Sequence, residues 1–270
     1  MTALRVLSLG AGVQSTTMAL MAAHGEIVPM PDAAIFADTQ WEPAAVYRHL
    51  AWLTSGNVLP FPVYVVTGGS LRDAIVAKAT TGKGRFAAVP FFTSGGGMGP
   101  RQCTREYKID PIRRKMRELL GVAKGARVPK GVKVEVWIGI STDEAIRMKP
   151  ARHAWQEHRW PLIEAGMSRA DCLRWIERHG YPRPPKSSCK GCPYHSNAMW
   201  RDMRDNAPDD WADAVELDRI IRTGGTMRGM KDQQFMHADR VPLSEVDLST
   251  AAERGQGDLF GDECEGMCGV

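Results

Sequence analysis

Two stretches of this chain place residue types whose spacing permits chemistry. The first is Gly10-Ala-Gly12-Val-Gln14-Ser15-Thr16-Thr17, in which two glycines let a ligand approach the backbone closely and three hydroxyls add donors. At the start of a helix such a loop points unpaired N–H groups at an anion, so nucleotide phosphate is the expected occupant. The second is Ser187-Ser-Cys189-Lys-Gly-Cys192-Pro-Tyr-His195, whose CxxC can set two thiolates on one metal centre. Two thiolates do not complete a site. Cys103 is the best third ligand, because the positive charge around it stabilises a thiolate. Structural zinc on Cys103, Cys189, Cys192 and His195 is one reading of this set, and a bare redox CxxC is another.

The elements that must position these residues follow from periodicity. Leu4, Val6, Leu7 and Leu9 form a buried parallel strand that runs into the glycine loop and then a helix. Residues 33–38 make a second strand ending at Asp38, with a helix over 43–53. Residues 62–66 make a third strand, with Ser70 capping a helix over 71–79. The glycine-rich run 93–100 is a mobile loop leading to Cys103. A basic helix over 112–120 and a strand over 132–140 follow. Ser141-Thr-Asp-Glu144 then stands at that strand's carboxyl end, the usual ligand edge of parallel sheets. Strand–helix alternation at this spacing predicts an α/β fold with a doubly wound, mostly parallel sheet. Helices over 168–179, 193–205 and 209–223 form a helical extension. The expected division is residues 1–165 for the nucleotide-binding part, 166–247 for the extension carrying the CxxC, and 248–270 for an acidic, disordered tail.

Composition is that of an ordinary globular chain, 43% hydrophobic and 24% charged over 270 residues. No apolar run approaches the roughly 18 residues that span a bilayer, and a signal peptide's charged start and cleavage site are not present, so a cytoplasmic protein is expected. Six cysteines in a chain of this size read as metal or redox chemistry and not as a disulfide scaffold. Cys172, in a helical pattern, reads as a core residue. Between Arg101 and Lys133 eleven Lys or Arg face three acids, a net +8. Such a block is either a solvated face or a phosphate-binding surface.

The loop also fits the opening of a dinucleotide-binding unit, with Asp38 at the ribose-binding distance, but Ser15 stands where the third glycine would be. A Walker loop is excluded, since GxxxxGK[ST] does not occur. Gly10-Ala-Gly12-Val-Gln14-Ser15 resembles the SGGxDS PP-loop of the ATP pyrophosphatases, the superfamily of PAPS reductases and nucleic-acid sulfurtransferases. Gly replaces the first serine and Gln14 the aspartate, so a neutral amide stands where pyrophosphate or Mg2+ would meet a carboxylate. Asp38-Thr39-Gln-Trp-Glu42-Pro43 is similar to the reductases' DTGxxFPET segment. Arg101-Gln-Cys103-Thr-Arg105, with Lys108 and Pro111, is similar to the cysteine segment shared with the DNA phosphorothioation sulfurtransferases. The tail's Glu263-Cys264 resembles the reductases' mobile ECG element.

This resemblance implies a PP-loop, adenine nucleotide alpha hydrolase-like fold over residues 4–200. It further implies ATP and Mg2+ on Gly10, Gly12, Gln14, Ser15, Thr16, Asp38 and Thr39, and a [4Fe–4S] cluster on Cys103, Cys189 and Cys192 with one iron left open. Arg101, Arg105 and Lys108 would bind an anionic substrate, with Cys103, Lys108 and Cys264 in the chemistry. The expected activity is an ATP-dependent sulfurtransferase that adenylates DNA or tRNA and inserts sulfur. The partners are nucleic acid, a cysteine desulfurase as sulfur donor and a second copy of the chain. A PAPS or adenylyl sulfate reductase, and a zinc-stabilised module that binds nucleotide or nucleic acid, are the alternatives.

Overall fold

The computed structural model describes residues 2–82, 89–224, 232–250 and 253. In chain order the first half comprises β1 (Thr2–Leu9), α1 (Val13–Ala23), β2 (Ala33–Asp38), α2 (Ala44–Leu53), β3 (Val63–Thr67), α3 (Leu71–Thr81), β4 (Phe92–Thr93) and α4 (Asp110–Leu119). There follow β5 (Lys133–Trp137), β6 (Gln156–Arg159), α5 (Pro161–Glu164), α6 (Arg169–Arg178), α7 (Asn197–Asn206), α8 (Pro208–Gly224) and β7 (Gln234–Phe235). Five strands form one sheet in the order β3-β2-β1-β5-β6, every pair parallel, while β4 and β7 make a small antiparallel ribbon. Strand order reverses at β1, so the carboxyl ends of β1 and β5 flank the crevice where α/β sheets bind ligands. Among the described residues no helix is long and apolar enough to cross a membrane.

Alternation along the central strands sends side chains to two cores. Leu7, Leu9, Ala34 and Phe36 pack with α1, α2 and α6, whereas Val6, Ile35, Val134 and Val136 pack under Met116 of α4. Every residue of α1 from Val13 to Ala22 is buried, because α1 lies between the sheet and α6. A third core joins Leu71 and Ile75 of α3 to Trp200, Met203, Ala214 and Leu217 of α7 and α8, and Cys189 sits within it.

The structure departs from the sequence expectation at four places. β5 ends at Trp137, because a Cβ on Gly139 would meet Ser15 N at 3.0 Å where the chain passes the first turn of α1. β6 reads Gln-Glu-His-Arg, an edge strand with none of the β-branched residues that mark strands. Residues 193–196 belong to the turn that follows the CxxC, and α7 begins where the Ser196 side chain accepts a hydrogen bond from Met199 N. Residues 248–250 are ordered against the body: Leu248 is buried, and Asn197 Nδ2 donates to the carbonyls of Asp247 and Ser249. Cys264 and Cys268 lie outside the described residues.

Candidate functional site

The phosphate loop opens α1 without a side-chain cap and without an acid in the first turn, so the helix start keeps its positive end open. Gly12 packs closely against a side chain of the chain itself, since a Cβ there would come within 2.6 Å of Ser187 Oγ. Ser15 braces the loop, accepting from Gly10 N at 3.1 Å and donating to Gly12 O at 3.4 Å. Ala11 holds φ 55°, a left-handed conformation that suits glycine.

Gly10, Gly12, Gln14 and Ser15 line a cleft of about 350 Å³ between the carboxyl ends of β1 and β5. Arg101, Arg105, Lys108 and Arg113 enter it from one side. Arg147, Lys149 and Arg152 enter from the segment after β5, and Asp110 and Glu144 are the acids in the wall. Phe36, Met116, Val136 and Ile138 give an apolar wall suited to a base. Sequence reasoning missed Arg147, Lys149 and Arg152. Their signal was three cations within six residues directly after the ligand-edge turn.

The predicted nucleotide residues do not all meet in this cleft. The Thr16 hydroxyl is turned inward to His49 Nε2 at 3.1 Å, and Thr16 is fully buried. Asp38 accepts from the Tyr47 hydroxyl at 2.8 Å and from Gln40 N at 2.7 Å, which fastens the turn after β2. Thr39 faces the cysteines. Gln14 is held from both ends, its Nε2 donating to Glu144 Oε2 at 3.2 Å and its Oε1 accepting from Arg169 at 3.2 Å. Glu144 thus brings to the cleft a carboxylate next to the one Gln14 lacks. Burial raises its pKa against the pull of Arg147, which pairs with it at 2.7 Å.

Cys103, Cys189 and Cys192 line a second, smaller pocket with Thr39, Trp41, Leu71 and Tyr194. Cys103 follows the glycine-rich run and precedes a π-helical turn, Thr104–Ile109, which aims Lys108 back toward the cysteines. Arg101 lies over the Tyr194 ring at 5.4 Å, joining the Cys103 segment to the CxxC loop. Glu42 is almost fully buried. Its Oε1 accepts from the Thr39 hydroxyl at 2.9 Å and the Cys189 thiol at 3.5 Å, and pairs with Lys108 at 3.3 Å. His195 does not join them. Its Nε2 meets the Ser188 hydroxyl at 2.7 Å, its ring stands edge-on to Trp200, and burial pushes its pKa down to about 3. Cys172 is a core residue, its thiol pushed up to about 12 by burial.

Three thiolates can serve either a single ion or a cluster, and the two differ in the spread they require. Four ligands on one zinc put sulfurs about 3.8 Å apart, from a Zn–S distance of about 2.3 Å. Among the described residues only His24, Glu26 and His179 gather their ligand atoms within 4.8 Å of one another, so the three cysteine sulfurs do not all lie that close together. A cubane, with its irons at separate corners, needs that wider spread. The space enclosed between the Cys103 turn and the CxxC loop is about 20 Å³.

The cleft and the cysteine pocket share Arg101, Thr104 and Lys108. There Arg101 Nη2 and Thr104 Oγ1 are buried without a hydrogen-bond partner, at the boundary between a phosphate cleft and a thiolate pocket. Buried donors left unpaired in this way are costly, and a bound anion would satisfy them.

The basic block proves to be divided in its tasks. Arg113 faces the cleft and pairs with Asp110 at 2.9 Å, Lys115 covers the Tyr64 ring, and Arg117 donates to the carbonyls of Ala123 and Ala126. Helix α4 therefore does not present these cations as one solvated stripe.

No family model matches the chain, and no curated protein matches it. Among solved structures, a phosphoadenylyl-sulfate reductase from Candida auris in complex with phosphate is similar at 15% identity and a TM-score of 0.43, over 67% of this chain and 74% of that one. The U34-tRNA thiolase NcsA from Methanococcus maripaludis with its [4Fe–4S] cluster is similar at 13% identity and a TM-score of 0.34, over 81% and 72%.

Proposed function

We propose that this chain is a PP-loop-type enzyme that binds ATP in the cleft, adenylates an oxygen of a nucleic-acid substrate and replaces it with sulfur at the cysteine pocket. The observation that carries the reading is the shared wall of Arg101, Thr104 and Lys108, with its two unpaired buried donors, between the phosphate loop and three cysteines. Gly12 and the start of α1 hold the phosphates through backbone N–H groups. Glu144, beside Gln14, is the residue that would hold Mg2+. Arg101, Thr104 and Lys108 position the phosphoryl group under attack and neutralise the charge that develops on it. Cys103, Cys189 and Cys192 would hold a [4Fe–4S] cluster, which when bound supplies an iron without a protein thiolate, open to sulfide. The apolar walls of that pocket keep water away from the activated substrate.

Seven cations line the cleft against two acids, more charge than a magnesium-bound triphosphate requires, which favours a substrate that brings further phosphates. A second reading is a sulfonucleotide reductase. It is favoured by the neutral Gln14, because a sulfonucleotide can be held without magnesium. Incubation with ATP and tRNA or DNA should release AMP or pyrophosphate only when the nucleic acid is present. Release of sulfite from PAPS with no such ATP cleavage would overturn the transferase in favour of the reductase.

A further inference from the structure

We propose that His24, Glu26 and His179 form a divalent transition-metal site that ties the carboxyl end of α1 to the carboxyl end of α6. One ligand atom from each residue lies within 4.8 Å of the other two. Two imidazoles and a carboxylate are donors for Zn2+ and its neighbours, not for Mg2+ or Ca2+.

The surroundings fix each ligand as metal sites require. His179 Nδ1 meets the Trp175 carbonyl at 2.8 Å, and since a carbonyl only accepts, that nitrogen carries the proton. Its Nε2 is left with a lone pair, 3.9 Å from Glu26 Oε1. The Trp175 indole N–H donates to both carboxylate oxygens of Glu26, at 3.2 and 2.9 Å, and sets their direction. One nitrogen of His24 is engaged by the Tyr181 hydroxyl at 2.7 Å. Trp175, itself buried, stacks on His179 at 3.9 Å and supports the cluster from beneath.

The backbone favours a cation independently. His24 is the C-cap of α1 and His179 the C-cap of α6, so the negative ends of two helix dipoles converge here. The amino ends of the same two helices are joined where Arg169 donates to Gln14, a residue of the cleft wall. A metal would therefore lock the far ends of the pair whose near ends shape the nucleotide site. Three protein ligands on an exposed surface leave the remaining positions to water.

Calorimetric titration of the whole protein with ZnCl2 tests this, alongside His24→Ala/His179→Ala and Glu26→Gln. The parent should take one ion more than the double variant, and its Tm should rise with Zn2+ by mass action at that site. Glu26→Gln keeps an acceptor for Trp175 and should bind that ion at least tenfold more weakly. Co2+ at the site should give ligand-field bands without thiolate charge transfer, which separates it from ions held by the cysteines. Equal stoichiometry and equal Tm response in parent and double variant, Glu26→Gln binding as tightly as the parent, or cobalt spectra of thiolate ligation alone would each overturn the proposal.

Discussion

Gly191, inside the CxxC, is the position where one added methyl group should test both the packing and the metal. A Cβ there would lie 2.1 Å from Cη2 and 2.8 Å from Cζ2 of Trp41, whereas ordinary contact begins at 3.4 Å. Trp41 has little room to retreat. It is 2% exposed, its Nε1–H donates to Asp213 at 2.8 Å, and its carbonyl accepts from Lys190 N at 3.1 Å. Overpacking of this kind costs about 1–3 kcal/mol. For a chain of this size each kcal/mol lowers Tm by about 2–4 °C, so Gly191→Ala should melt about 2–12 °C below the parent. The loop yields before the indole does, which carries Cys189 and Cys192 off their positions and should lower iron content in the same sample. Gly56→Ala is the control, since no atom lies within 4 Å of its Cβ, and it should leave both quantities unchanged. Gly191→Ala with the parent's Tm and iron would refute the packing of Trp41 on the CxxC loop.

Lys108→Met leaves Glu42 buried without its cation and should cost about 3 kcal/mol in chemical denaturation, most of it recovered in Lys108→Met/Glu42→Gln. Because burial raises the Glu144 pKa above its ordinary 4.5, its contribution to stability is present below pH 4.5 and lost as pH rises through the raised value. Glu144→Gln should therefore match the parent near pH 4 and be the more stable protein at pH 7.5, while losing magnesium-dependent nucleotide cleavage. His49 shifts the other way: burial lowers its pKa from 6.5 to about 4, so its contribution is present above pH 6.5 and lost as pH falls toward 4. Unfolding free energy should drop by up to about 3 kcal/mol across that window, and His49→Gln should flatten the drop. Gln40 holds φ 55° where the resembled segment has glycine, so Gln40→Gly should raise stability by up to about 1 kcal/mol, read as a higher Tm.

What could be read from the sequence was what local pattern encodes. The runs over residues 4–9 and 33–38 are apolar and the glycine loop punctuates them, so the parallel α/β sheet and its phosphate edge followed. The CxxC and the charge beside Cys103 signalled a shared thiolate site, and the three cysteines do line one pocket. What stayed hidden depended on long-range packing. Thr16 has the same composition cue as Ser15, but three-dimensional packing turns its hydroxyl to His49, and Thr39 is drawn to Cys189 by Glu42. Arg147, Lys149 and Arg152 follow a turn with no strand-like neighbours, and β6 is too polar to register as a strand. Whether the basic block was a solvated face or a phosphate-binding surface could not be read locally either, because Tyr64, Asp110 and two loop carbonyls engage cations of α4 individually.

Metal analysis of the protein purified without oxygen tests the central claim most directly. A brown protein with about four irons and four sulfides per chain, lost in Cys103→Ser, Cys189→Ser and Cys192→Ser alike, is the result expected if the three cysteines that line one pocket hold a cluster. One zinc, no iron and no sulfide would contradict it.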